Sequence, residues 1–337
     1  MSQNPTQPQG LVPVAAAIIG NTVIMAIKFV GFLVSGSSAL FSEAVHSVAD
    51  TLNQIFLLVG IKKSLRKADK EYAYGYGQER FFWALISACC IFFLGAGITT
   101  YNGISSLIHP EKLEINFLVY LVLAVSFTVE SFTFYVAWQE LKSSGAEKKL
   151  KLLFKEGDPS TIAVLFEDGV ALIGVAAAFV GILLTHTTGK YYWDGLSSIF
   201  IGLMLGVMAI ILINKNRGFL IKKSIPDEVK EKIIEIMLAD PVIEKVLDFK
   251  SSVLDINQFR IKCEVEFNGP ALLKEILGGS TLKEEFTEVN NNFEEFKKFF
   301  VDYADRVPRV IGRKIDQLEK KIKNEVPKSV HIDIEIN

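Results

Sequence analysis

Six apolar stretches lie along the first two thirds of the chain, at roughly 12–34, 39–61, 81–105, 115–138, 161–186 and 193–214. Each approaches or exceeds the length of about 20 residues that an α-helix needs to cross a bilayer. The pattern changes at Ser224–Pro226, after which the chain is charged and contains no stretch of spanning length. Pro226 precedes an amphipathic helical run through Ile233, Ile234 and Met237. Residues 243–254 and 256–267 read as two strands, the second alternating Phe259, Ile261, Cys263, Val265 and Phe267. A Lys-rich helix is expected at about 309–325 and a last strand through Val330, Ile332, Ile334 and Ile336. Residues 268–306 form an acidic, Phe-rich insertion of expected helical character. The expected fold class is a membrane all-α six-helix transmembrane domain plus a cytoplasmic α+β (α-β-β-α-β, ferredoxin-like) C-terminal domain. The corresponding divisions are 1–11 (polar), 12–223 and 224–337.

Charge assigns sides to the loops. Lys62, Lys63, Arg66, Lys67, Lys70 and Arg80 follow the second stretch. Lys142, Lys148, Lys149, Lys151 and Lys155 follow the fourth, and Lys215, Arg217, Lys222 and Lys223 follow the sixth. The other three connections hold only Lys112 and Lys190. The excess of Lys and Arg on alternate loops places these loops and both termini in the cytoplasm. Half of the 337 residues are apolar and the net charge is −2, which fits a lipid-embedded protein and argues against a nucleic-acid partner. Cys89, Cys90 and Cys263 make neither a disulfide framework nor a CxxC metal knuckle. Met1–Gly10 lacks the basic start of a secretory signal and the Arg-rich character of a transit peptide. The expected location is a prokaryotic inner (plasma) membrane.

Ionisable side chains inside apolar helices are costly and invite a functional reading. His46 and Asp50 stand four apart in the second stretch, about 6 Å along a helix and about 40° around it, so they share a face. An imidazole and a carboxylate so placed can hold one cation, and a mixed N/O donor set suits zinc. The alternative is a buried His–Asp hydrogen bond. Glu43 lies about 10 Å from Asp50 along the helix, either in an ion's path or as a plain hydrogen-bonded carboxylate. Glu167 and Asp168 are consecutive in the fifth stretch, so their side chains diverge by about 100° and one of them faces a given site directly. Glu130 in the fourth stretch reads as a hydrogen-bonded bundle residue or a proton relay, and Lys28 as a snorkelling cation or a partner of one of these acids.

The run Gly36-Ser37-Ser38-Ala39-Leu40-Phe41-Ser42-Glu43-Ala44-Val45-His46-Ser47-Val48-Ala49-Asp50 resembles the second-helix signature of the cation diffusion facilitators. Tyr74-Gly75-Tyr76-Gly77-Gln78-Glu79-Arg80 resembles their loop before the third helix, and Asp168 with Gly174 resembles their fifth-helix aspartate and small-residue stripe. Leu165-Phe166-Glu167-Asp168 is similar to the branch containing eukaryotic zinc transporter nine. The resemblance implies a non-enzymatic homodimeric antiporter that exports zinc from the cytoplasm by alternating access, with protons as counter-ion. It carries over His46, Asp50 and Asp168 as metal ligands. Val164 stands where the family usually has a second histidine, leaving Glu167, water or nothing as the fourth ligand. A donor set with one imidazole and several carboxylates is harder, so Mn²⁺ or Fe²⁺ are alternative substrates to Zn²⁺. Tyr72, Leu247 and Lys262 stand at positions of other family histidines; in the tail only His331 and Asp333, alternating on one strand face, could pair on a metal.

Two other classes fit the spans: a passive divalent-cation channel, and a membrane-anchored sensor or scaffold. An anchor has no use for His46, Asp50, Glu130, Glu167 and Asp168 in its spans, and no HExxH motif supports a metalloprotease. Val164→His is expected to shift transport preference towards zinc over manganese in proteoliposomes. An unchanged selectivity profile contradicts the role given to that position.

Overall fold

The computed structural model describes residues 11–110, 112–143, 159–289 and 292–337. The basic residues Lys148, Lys149, Lys151 and Lys155 and the polar segment 1–10 lie outside the described residues. The chain forms two compact units, Met1–Ile221 and Lys222–Asn337.

Among the described residues the first unit holds six long helices: α1 (Leu11–Ser35), α2 (Ser38–Ser64), α3 (Glu79–Ile108), α4 (Phe117–Ser143), α5 (Pro159–Thr188) and α6 (Tyr192–Leu220). All six are long and apolar enough to span a membrane. Their outward faces carry exposed Leu33, Phe93, Phe117, Phe132 and Val207, as a lipid-facing surface requires. α2 is the least apolar of the six yet the central one, packed against α1, α3, α5 and α6. Its polar residues are therefore turned inward, and Ser42, Glu43, His46 and Ser47 are all buried.

Within α3, Ile91–Ile98 winds as a π-helix, a geometry that recurs at functional positions. Its C-terminal part meets α6 backbone to backbone. A Cβ placed on Gly103 would lie 2.8 Å from Ile199 N and 2.9 Å from Gly195 O, and one on Gly202 would lie 2.9 Å from Thr100 N. Small residues let membrane helices approach this closely, since packing rather than the hydrophobic effect drives their association.

A two-residue turn joins α1 to α2, with Gly36 at φ +68°. Ser37 caps α2 by accepting from Leu40 N. Asp194, at the start of α6, takes the rest of this helix end: it accepts from Ser37 Oγ and Ser38 N at 2.6 Å each and from Ala39 N at 3.3 Å. A buried carboxylate at a helix N-terminus satisfies orphan N–H groups and meets the positive end of the helix dipole. Ser42 and Ser198 share a further hydrogen bond of 2.6 Å between α2 and α6.

The loop from α2 to α3 is organised by Asp69, which accepts from Glu71 N, Tyr72 N and Tyr76 Oη at 2.7–3.0 Å. The Tyr72 amide, then the Tyr76 hydroxyl, hold the Asp69 carboxyl below the ordinary carboxylate range. Its stabilisation is thus present above the ordinary pKa and fades as pH falls through the lowered one.

The second unit contains α7 (Asp227–Leu238), β1 (Ile243–Asp255), β2 (Gln258–Phe267), α8 (Gly269–Leu277), α9 (Leu282–Val289), α10 (Phe293–Glu325) and β3 (Ser329–Ile336). The sheet order is β1-β2-β3, with β1 antiparallel and β3 parallel to β2. A parallel pair needs a crossover, which α8, α9 and α10 supply. Phe259, Ile261, Cys263 and Val265 of β2 are buried, as are Ile233, Met237, Leu318 and Ile322 of the helices, and Cys263 Sγ meets Met237 Sδ at 3.8 Å. Burial pushes the Cys263 thiol up to about 11, so it packs as an inert apolar group.

One sequence expectation needs correcting here. The Lys-rich helix begins not at 309 but at Phe293, running through Pro308 and absorbing the last part of the 268–306 insertion. A proline removes one backbone hydrogen bond and favours a break, but Asn292 caps the helix upstream and its apolar stripe continues through Val310, Leu318 and Ile322.

The backbone contact between α3 and α6 leaves no room for a methyl group. Gly103→Ala is expected to destabilise by about 1–3 kcal/mol, as overpacking does, and to lower the melting midpoint in detergent. Gly206→Ala meets only an ordinary 3.5 Å contact with Ala96 Cβ and is expected to be near neutral. Equal midpoints for the two variants contradict this packing.

Candidate metal site

α2 brings His46, Asp50 and Asn53 onto one inward face through successive spacings of four and three. His46 Nε2 lies 3.5 Å from Asp50 Oδ2. The imidazole is 1% exposed, and among the described residues neither of its nitrogens has a hydrogen-bond partner; Asp50 Oδ1 also has none. Buried polar atoms are nearly always satisfied, so orphaned ones need an explanation. Two ligand atoms each about 2.0–2.2 Å from a tetrahedral zinc stand about 3.4 Å apart. The pair is thus spaced for an ion between its members rather than for a direct hydrogen bond.

From α5, Glu167 reaches the same region. Its two carboxylate oxygens accept from Asn53 Nδ2 at 2.6 and 2.8 Å, and Asn53 Oδ1 accepts from Ser87 Oγ of α3 at 2.6 Å. Asp168, one residue on, is only part-buried, and its charge is felt at both Asp50 and Glu167. Of these two consecutive acids, Glu167 is the one bonded to α2, through Asn53 three residues after Asp50.

The expected ligand set does not converge as a whole. Among the described residues no three His, Cys, Asp or Glu side chains are grouped closely enough to hold an ion. The physical reason is that donors have claimed several of the carboxylates. Asn53 holds Glu167, and Lys28 holds Glu43 at 2.9 Å and Glu130 at 3.2 Å. Glu43 therefore belongs to a separate cluster of α1, α2 and α4, and Lys28 is a partner of acids rather than a snorkelling cation. Val164 lies on α5, with its side chain outside those described.

In the second unit, His331 and Asp333 do share a face of β3, opposite the buried Ile332 and Ile334. Asp333 is engaged by Arg260 at 3.2 Å and Lys262 by Glu335 at 2.7 Å, so cationic side chains already meet the acids of this strand.

Sequence reasoning missed Asn53, Ser87 and Asp194. Asn53 carried a signal: it stands seven after His46, two helical turns along the same face. Ser87 and Asp194 act across helices distant in sequence and had none.

The Cation efflux transmembrane domain matches residues 14–221. The chain is 34% identical over 332 residues to "Proton-coupled zinc antiporter SLC30A9, mitochondrial" of Mus musculus, covering 96% of this chain and 58% of the relative. It is 34% identical over 333 residues to "Metal tolerance protein C4" of Arabidopsis thaliana, covering 96% of this chain and 72% of the relative. The "Cation-efflux pump FieF" of Klebsiella pneumoniae is 24% identical over 269 residues, 78% of this chain and 83% of the relative. The chain thus spans little more than half the length of the mouse relative and nearly three quarters of the plant one. With its six span-forming helices and the domain match across them, this chain belongs to the cation efflux family, the cation diffusion facilitators, which are transporters and not enzymes.

Proposed function

We propose that this chain moves a divalent metal cation, with zinc as substrate, across a membrane in exchange for protons. The observation that carries the proposal is the His46–Asp50 pair, buried among spanning helices with orphaned nitrogens and oxygen at ion-bridging separation. A metal ligand must be a neutral imidazole or an ionised carboxylate, so metal and protons compete for the same atoms. That competition couples the two fluxes: a cation arriving at His46 and Asp50 expels their protons, and protons returning from the other side expel the cation. Glu167 and Asp168 supply further negative charge and candidate ligands. Alternating access, export from the cytoplasm and operation as a homodimer form part of the same proposal. The relative from mouse is named as a proton-coupled zinc antiporter, which supports zinc and protons as the exchanged species.

One observation favours a second substrate reading. The residues near the pair are mainly carboxylates, with His46 as the one imidazole among them, and such a set is hard enough for manganese or iron(II).

His46→Ala or Asp50→Ala is expected to abolish zinc-driven proton movement in proteoliposomes loaded with an internal pH dye. Zinc entry without proton movement in the unaltered protein points instead to a channel, and full transport by either variant removes the pair from the site. Asn53→Ala frees Glu167 while leaving His46 and Asp50 in place. Loss of an orienting hydrogen bond around a metal typically weakens binding by about 10–100-fold, and zinc titration of this variant is expected to fall in that range; unchanged affinity separates Glu167 from the ion.

A further inference from the structure

A second cluster of ionisable groups sits between α1, α2 and α4. Lys28 Nζ is 2.9 Å from Glu43 Oε2 and 3.2 Å from Glu130 Oε1, and Lys28 and Glu43 are 1% and 0% exposed. Glu43 lies three and seven residues before His46 and Asp50, so the cluster is displaced from that pair towards the Ser38 end of α2. It is not electrically separate. The Lys28 charge is felt at His46 and Asp50, and the Glu130 charge at Asp50, Glu167 and Asp168. Five carboxylates thus make one continuous acidic interior, and Lys28 is the ammonium placed among them.

One ammonium neutralises one ionised carboxylate, so a second ionised carboxylate beside it leaves a surplus negative charge. Here one ammonium is shared by two, and Glu43 Oε1 is left over, fully buried with no hydrogen-bond partner among the described residues. That oxygen lies beside Gly174 of α5, where even a Cβ would come within 2.5 Å of it. Acceptors therefore exceed donors around a position that already holds a cation. An acid-lined interior of low dielectric draws cations of every kind, and a permanently filled position resists them.

We propose that Glu43 and Glu130 form a second cation site between the His46–Asp50 pair and the Ser38 end of α2, and that Lys28 fills it with a tethered ammonium that yields only to the transported divalent cation. Free ions are thereby kept from resting in the acidic interior, while a divalent cation, with twice the charge, can displace the ammonium in passing. This rests on the His46–Asp50 pair being the transport site.

Equilibrium dialysis of the full chain in nanodiscs against Zn²⁺ tests it. Lys28→Met, which keeps both carboxylates, is expected to bind one more zinc per chain than the unaltered protein. Lys28→Arg, and the neutral triple variant Lys28→Met/Glu43→Gln/Glu130→Gln, are expected to bind no more than the unaltered protein. Lys28→Met/Glu130→Gln leaves a single unpaired carboxylate and covers the case in which Lys28→Met does not fold; it is expected to gain the same ion at least tenfold more weakly. No gain in either Lys28→Met or Lys28→Met/Glu130→Gln overturns the proposal, as does a gain that persists in the triple variant. His46→Ala/Asp50→Ala separates the two readings: it is expected to lose one zinc in both the unaltered and the Lys28→Met background. Failure to lose it sinks the transport-site reading, whereas failure of Lys28→Met to gain one sinks only this inference.

Discussion

A charged side chain inside a bilayer must find a partner, face water or lose its charge, and this requirement shapes the transmembrane unit more than any other. Translocon scales put the cost of one such residue at about 2.5–3.5 kcal/mol at the helix centre. α2 carries Glu43, His46 and Asp50 within two turns, and it is accordingly surrounded by α1, α3, α5 and α6. Each neighbour brings a polar partner to α2: Lys28 of α1 to Glu43, Ser87 of α3 and Glu167 of α5 to Asn53, and Ser198 of α6 to Ser42. Burying α2 centrally is what allows its ionisable groups to exist in a membrane at all.

The same constraint explains the contrast between the two clusters. Around Lys28 the charges are paired within 3.2 Å, and the three helices are tied together. Both His46 nitrogens and Asp50 Oδ1 have no hydrogen-bond partner among the described residues, although all three atoms are buried. Glu167 and Asp194 are held by two and three hydrogen bonds, whereas these three atoms have no partner among the described residues, as the proposed coming and going of a cation requires. The end of α2 nearest Asp194 is fastened by three hydrogen bonds to that carboxylate, which gives the pair a fixed base.

Much of this was legible in the sequence, for identifiable reasons. Spanning helices announce themselves because bilayer thickness sets their length, and each of the six appears within a few residues of its expected limits, apart from extensions at the ends. The β2 strand was legible because Phe259, Ile261, Cys263 and Val265 alternate, and all four are buried. The start of α10 was not legible, because Pro308 is a local signal for a break and the apolar stripe that overrides it is tertiary. At the site, His46 and Asp50 follow from a spacing of four on one helix, whereas Lys28 and Glu130 are 102 residues apart and meet only through packing. Local periodicity places side chains on faces; it says nothing about which face of another helix arrives opposite.

In the proposed function His46 and Asp50 grip a divalent cation directly. The most direct measurement is a structure of the zinc-loaded chain that resolves the ion's coordination shell. Zinc is expected within about 2.0–2.2 Å of one His46 nitrogen and one Asp50 oxygen, joined by Glu167 or Asp168. An ion bound elsewhere, with His46 Nε2 and Asp50 Oδ2 still 3.5 Å apart and uncoordinated, would contradict it.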